Sequence, residues 1–197
     1  HFGPLGGAAL IYSLGAMLLL VFLGRPRIRS TSRLYLVLGS ALFVAYEVCL
    51  SLALGFASDR HQAIELGVVN YLWPCLTVVL AIVMNGQKTR WFIIPGSALA
   101  IFGILWVVSG EGLSLPGIVR NVQSNPLSYS LALTCAITFA LYCNVTRRYA
   151  GGQNLVVLFF VLTSAALWLG VSLQAQFWQG AVLLLRQRKR DSILSDA

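Results

Sequence analysis

Apolar residues gather in long unbroken runs separated by short polar clusters, without the strict alternation of a half-buried strand. The runs predict six membrane-spanning helices: Leu5 to Leu23, Leu34 to Ala57, His61 to Met84, Arg90 to Ser109, Leu127 to Tyr149 and Asn154 to Gln174. Each is close to the roughly 20 residues that a helix needs to cross about 30 Å of hydrocarbon. The connections are short except for GEGLSLPGIVRNVQSNP, residues 110–126, whose Gly, Pro, Ser and Asn predict a sizeable external loop containing a short amphipathic turn. A last apolar run, Phe177 to Leu185, covers only about 14 Å as a helix. It reads either as an interfacial segment or as the front half of a helix whose rear is lost.

Composition agrees with an all-α polytopic membrane protein, because 58% of the 197 residues are hydrophobic and only 10% are charged. The net charge of +8 does not point to a nucleic-acid partner, since the basic residues sit in loops between apolar runs rather than along one face. They act as topology signals instead. One side carries Arg25, Arg27, Arg29, Arg33, Lys88, Arg90, Arg147 and Arg148, and the other Arg60 and Arg120, which makes the first side cytoplasmic and places His1 outside. The basic stretch Arg186 to Arg190 breaks this order, because six crossings would leave it outside; an intact seventh crossing would return it to the cytoplasm. The chain starts at His1 without Met and with no basic region before its first run, so it is expected to lack a signal peptide and to be truncated at its N-terminus.

Catalytic templates fit poorly. His1 and His61 lie near no plausible nucleophile or ligand set, and no Gly-rich phosphate loop ends in Lys. Cys49, Cys75, Cys135 and Cys143 lack Cys-x-x-Cys or Cys/His spacing and read as small core residues, so no metal or other cofactor is expected.

The polar residues inside the runs are the candidates for function. Glu47 lies near the middle of the second run, where an ionisable group costs at least a few kcal/mol and commonly faces a wet cavity or a partner helix. Ser40, Glu47, Ser51 and Ser58 would form one polar stripe. Function and structural glue both remain open for Glu47. Glu65, near the outer end of its run, is expected to reach the headgroup region. In VNYLWP, residues 69–74, Asn70, Tyr71, Trp73 and Pro74 occur at mid-membrane depth, where aromatic belts do not belong. Pro74 cannot donate to the Asn70 carbonyl, so a kink is expected, with Asn70, Trp73 and Thr77 on one face suited to a small zwitterion with an apolar body. A space-filling kink is the plainer alternative. Cys135, Phe139, Tyr142 and Thr146 form a further stripe that is equally consistent with packing, and Gly96, Ala100 and Gly103 are expected to let helices approach closely.

The strings GPLGGAALIYSLG, FLGRPRIRS, HQAIELGVVNYLWP, NGQKTRW, SNPLSYSLAL and LYCNVTRRYA resemble the bacterial aromatic amino acid exporters of the EamA-type branch of the drug/metabolite transporter superfamily, over about residues 3 to 174. The resemblance implies ten helices in two inverted five-helix repeats, both termini cytoplasmic, in the bacterial inner membrane, around a central cavity. Residues 1–109 would be the first repeat without its first helix, 110–126 an external loop, 127–174 the start of the second repeat, and 175–197 a remnant of the last helix. The six runs would be helices two to seven, with eight and nine absent. It further implies an aromatic amino acid as substrate and Tyr46, Glu47, Tyr71 and Trp73 on or beside the cavity. Phe139 stands where the family carries Trp. Two other readings remain: an inactive or structural helical fragment, and a transporter of another small metabolite or drug. Oligomeric state is not legible.

Overall fold

The computed structural model describes residues 3–26, 28, 31–86, 93–109, 115–152 and 154–195. Arg27, Arg29, Lys88 and Arg90 of the charge count, Glu111 of the external loop, and His1 and Asp196 at the ends lie outside the described residues. The eight helices among the described residues are α1 (Gly3–Leu23), α2 (Arg33–Gly55), α3 (Arg60–Asn70), α4 (Trp73–Asn85), α5 (Ile93–Ser109), α6 (Leu115–Ser124), α7 (Pro126–Tyr149) and α8 (Val156–Ser195). Local chemistry sets several of these ends. Asp59 accepts the Gln62 amide at 2.8 Å to cap α3, and Asn125 accepts the Ser128 amide at 3.3 Å to cap α7, where Pro126 fills a position whose N–H would be orphaned anyway. Gly86, at φ 60°, closes α4 with the left-handed residue that a helix C-terminus favours.

Among the described residues, five spans are long and apolar enough to cross a membrane: α1, α2, α3 with α4, α7, and the Val156–Phe177 part of α8. They coincide with five of the six predicted runs. The remaining run is represented by α5, with 17 residues described. The predicted amphipathic turn of the external loop is the ten-residue helix α6. The Phe177 to Leu185 run is not a separate segment: α8 continues through it to Ser195, a 40-residue helix of about 60 Å, because no proline interrupts a series of good helix formers.

Helix α7 is the central element, packed against α2, α3 and α4, while α8 packs on α1 and α2, and α5 rests on α3 and α6. The sequence of α7 explains this position. Ser128, Ala132, Ala136, Ala140 and Asn144 recur every fourth residue and are all buried, so one narrow face lets neighbouring backbones come close. This seam does the work expected of Gly96, Ala100 and Gly103. Those residues are exposed on α5, and a side chain added at either glycine would meet nothing within 4 Å, because α5 turns Ile104, Val108 and Ser109 inward.

Interhelical hydrogen bonds pin the bundle where apolar attraction between helices in lipid is weak. The Ser13 and Ser164 hydroxyls lie 2.7 Å apart, and the Trp168 indole donates to Ser13 at 3.0 Å, joining α1 to α8. The Asn144 amide donates to the Thr77 carbonyl at 3.0 Å and accepts from Asn85 at 2.8 Å, clamping α7 to α4.

The end of the bundle around Glu65 departs from expectation. Glu65 is only 4% exposed, and instead of reaching headgroups its carboxylate accepts the Tyr129 hydroxyl of α7 and pairs with Nδ1 of His61 at 3.1 Å. A helical spacing of four places His61 over Glu65, and the close α3–α7 contact brings Tyr129 to it. Around them Gln62 accepts the Ser58 amide at 2.8 Å and an Asn125 N–H at 2.9 Å, tying α3 to the α6–α7 corner. Ser58 therefore belongs to this turn and not to the predicted stripe of α2, which ends at Gly55.

Candidate functional site

The third span breaks where Pro74 predicted. After α3 ends at Asn70, the Leu72 amide closes a tight turn on Val69 at 3.1 Å, and α4 restarts at Trp73 with its first internal bond from Leu76 to Leu72 at 3.0 Å. The result is a two-residue interruption rather than a smooth kink. Proline supplies no N–H, so the Asn70 carbonyl loses the donor four residues ahead.

Rings from three helices converge on this break. Phe139 of α7 lies 4.5 Å from the Tyr46 ring of α2 and 4.9 Å from Trp73 at 82°, an edge-to-face arrangement that suits the ring quadrupoles. Tyr142 follows 5.6 Å away and leads on to Phe43 at 5.3 Å and to Phe159 of α8 at 5.7 Å. Asn70 joins the group by donating to the Tyr46 hydroxyl at 3.4 Å, and the Cys135 thiol fixes the α2 backbone by donating to the Tyr46 carbonyl at 3.4 Å. Tyr46, Asn70, Trp73, Phe139 and Tyr142 are thus brought together.

Three other residues fall outside that cluster. Tyr71 is 67% exposed, because two positions along a helix put it on the face opposite Trp73. Thr77 spends its hydroxyl proton on the Trp73 carbonyl at 2.7 Å. Glu47 is buried on the line Tyr35, Gly39, Phe43 and Glu47, and its side-chain partner is Tyr12 of α1. Ser51, one turn further along α2, borders an apolar cavity of about 470 Å³ between α1, α2 and α8 that includes Pro4, Leu52, Phe56 and Phe177.

Reading the sequence alone missed Tyr12, Tyr129 and Asn144. Tyr129, near a run end, looks like an ordinary interfacial aromatic and Tyr12 like packing until the partner carboxylates are placed, whereas Asn144 lay between Tyr142 and Thr146 of the chosen stripe and a polar amide inside an apolar run was the available signal.

The chain is 53% identical over 175 residues to the aromatic amino acid exporter YddG of Salmonella typhimurium, a match covering 88% of this chain and 60% of that protein. It is 53% identical over 167 residues to the aromatic amino acid exporter YddG of Escherichia coli K12, covering 84% and 57%. A third aromatic amino acid exporter YddG, from Ancylobacter novellus, is 30% identical over 103 residues, covering 52% and 34%. The chain spans about 60% of the length of the first two relatives. No protein-family model and no solved structure matches it. Identity at half the positions over most of the chain, in ordered segments rather than one motif, makes it a homologue of these exporters over the aligned length.

Proposed function

We propose that this homologue of the aromatic amino acid exporters works as they are named: as a multi-pass inner-membrane transporter that moves aromatic amino acids outward by alternating access. The observation that carries the reading is the ring cluster built on the interrupted third span, with Phe139 lying 4.5 Å from Tyr46 and 4.9 Å from Trp73 beside a buried amide. Interrupted helices are a recurrent way to place backbone polar groups at a transporter's midplane. An aromatic solute replaces one ring contact by another, which keeps apolar area covered throughout the exchange.

In this reading Tyr46, Trp73, Phe139 and Tyr142 hold the solute's ring, Asn70 meets its polar end, and Tyr71 contributes only when further helices enclose its exposed face. The spans belong to a drug/metabolite transporter arrangement of ten helices in two inverted repeats, with residues 1–109 in the first and 127–174 in the second. Glu47 positions α1 through Tyr12 and is the group to test for proton coupling.

The measurement is phenylalanine flux in vesicles holding the complete reading frame that contains this sequence. Saturable flux, competed by tyrosine and tryptophan, is expected; absence of flux in sealed, correctly folded vesicles overturns the proposal. Glu47→Gln is expected to retain at least about half of that flux with an unaltered pH profile, since Gln keeps one oxygen for Tyr12. Loss of pH dependence with normal folding would instead assign Glu47 the proton.

One observation favours a second reading, a helical membrane element without transport. The rings of the cluster touch one another directly, as a packed core would. The flux measurement separates the two.

A further inference from the structure

Asn70 is 8% exposed, and among the described residues its side-chain oxygen has no hydrogen-bond partner, although its nitrogen reaches Tyr46. A buried amide oxygen inside a membrane span is an unfavourable state unless some donor completes it. The backbone of the same residue repeats the pattern, because Pro74 cannot supply the amide that its carbonyl would otherwise accept. The side-chain oxygen thus lacks a donor and the carbonyl lacks its helical one, while the Tyr46 hydroxyl oxygen lies 3.4 Å from the Asn70 amide nitrogen. Trp73 follows three positions later, so these oxygens border the ring cluster.

A primary ammonium group is the complement of this arrangement, having three donors and no acceptor. An uncharged ring alone would leave the oxygens unsatisfied, and a carboxylate would add acceptors to acceptors. We infer that Asn70 reads the α-ammonium group of the solute, its Oδ1 and main-chain carbonyl accepting the ammonium N–H bonds while the solute's ring lies against Trp73 and Phe139. This rests on the transport reading above and deepens it: the site selects for the amine of an aromatic amino acid as well as for its ring.

The test compares phenylalanine with 3-phenylpropionate, which keeps the ring and the carboxylate and lacks the amine, using both equilibrium binding to the purified complete protein and flux in vesicles. The parent protein is expected to favour phenylalanine on the order of a hundredfold, as sites built to satisfy buried polar groups reject analogues lacking the donor. Asn70→Leu should bring that preference to within about threefold by weakening phenylalanine, and Asn70→Asp, which keeps an acceptor, should restore most of it. An unchanged ratio in Asn70→Leu overturns the inference, as does loss of both ligands in both variants. A parent that binds phenylalanine without moving it defeats the transport reading alone, and the binding ratios still decide the role of Asn70.

Discussion

Trp73→Ala is expected to raise the half-saturating phenylalanine concentration roughly tenfold, a loss of about 1.4 kcal/mol. The indole meets Phe139 edge to face at 4.9 Å, and Phe139 in turn meets Tyr46 at 4.5 Å, so Trp73 closes one side of the place where a solute ring would lie. Aromatic pairs contribute about 0.5–1.5 kcal/mol beyond area burial, and alanine also forfeits the indole's share of apolar contact. Trp73→Phe should keep the change to about threefold by leaving a quadrupole in place. Initial-rate flux over a range of phenylalanine concentrations measures both variants, with helical content and monodispersity in detergent confirming the fold. Equal half-saturation in the parent and in Trp73→Ala would remove the stacking role. Phe139→Trp is the informative partner: it enlarges the ring at the hub of the cluster, and a shift in the preference between tryptophan and phenylalanine would place Phe139 in contact with the solute.

The membrane spans were legible in the sequence because run length alone decides them: once backbone hydrogen bonds must close within a segment, an apolar stretch of about 20 residues has few alternatives to a helix. The break at Asn70 was legible for a similarly local reason, the missing N–H of Pro74. What helical spacing could not supply was which neighbour each face meets. Asn70, Trp73 and Thr77 were counted on one wheel, and Asn70 and Trp73 do both border the ring cluster, whereas Tyr71, two positions from Trp73, lies on the opposite face and is exposed. The packing seam was misread because glycine is the more conspicuous small residue. Gly96 and Gly103 drew attention on α5, whereas the alanines of α7, framed by Ser128 and Asn144, form the seam that is actually covered.

Glu65 was the larger misreading, and it supplies the second strong expectation. Tyr129→Phe should destabilise the protein by about 2 kcal/mol, since hydrogen bonds to charged groups are worth roughly 1.5–3 kcal/mol when one partner is removed. Among the described residues the Tyr129 hydroxyl is one of two side-chain partners of a carboxylate that is 4% exposed; the other, His61, has 78% of its side chain in the surroundings and cannot shield the buried oxygen. Depth within the sequence run suggested a snorkelling carboxylate, and in that case the hydroxyl would be a surface group whose loss changes stability by less than about 0.5 kcal/mol. Thermal unfolding in one detergent, followed by helical signal, discriminates these values. The double variant Glu65→Leu with Tyr129→Phe should recover much of the loss, because removing both halves of a buried polar pair leaves no unsatisfied charge behind. If the double variant were instead less stable than either single one, the pair would be positioning α3 against α7 through shape rather than through its hydrogen bond. Because α3 ends at Asn70, that outcome would also make the Glu65–Tyr129 contact a determinant of where the interrupted span presents its acceptors to the ring cluster.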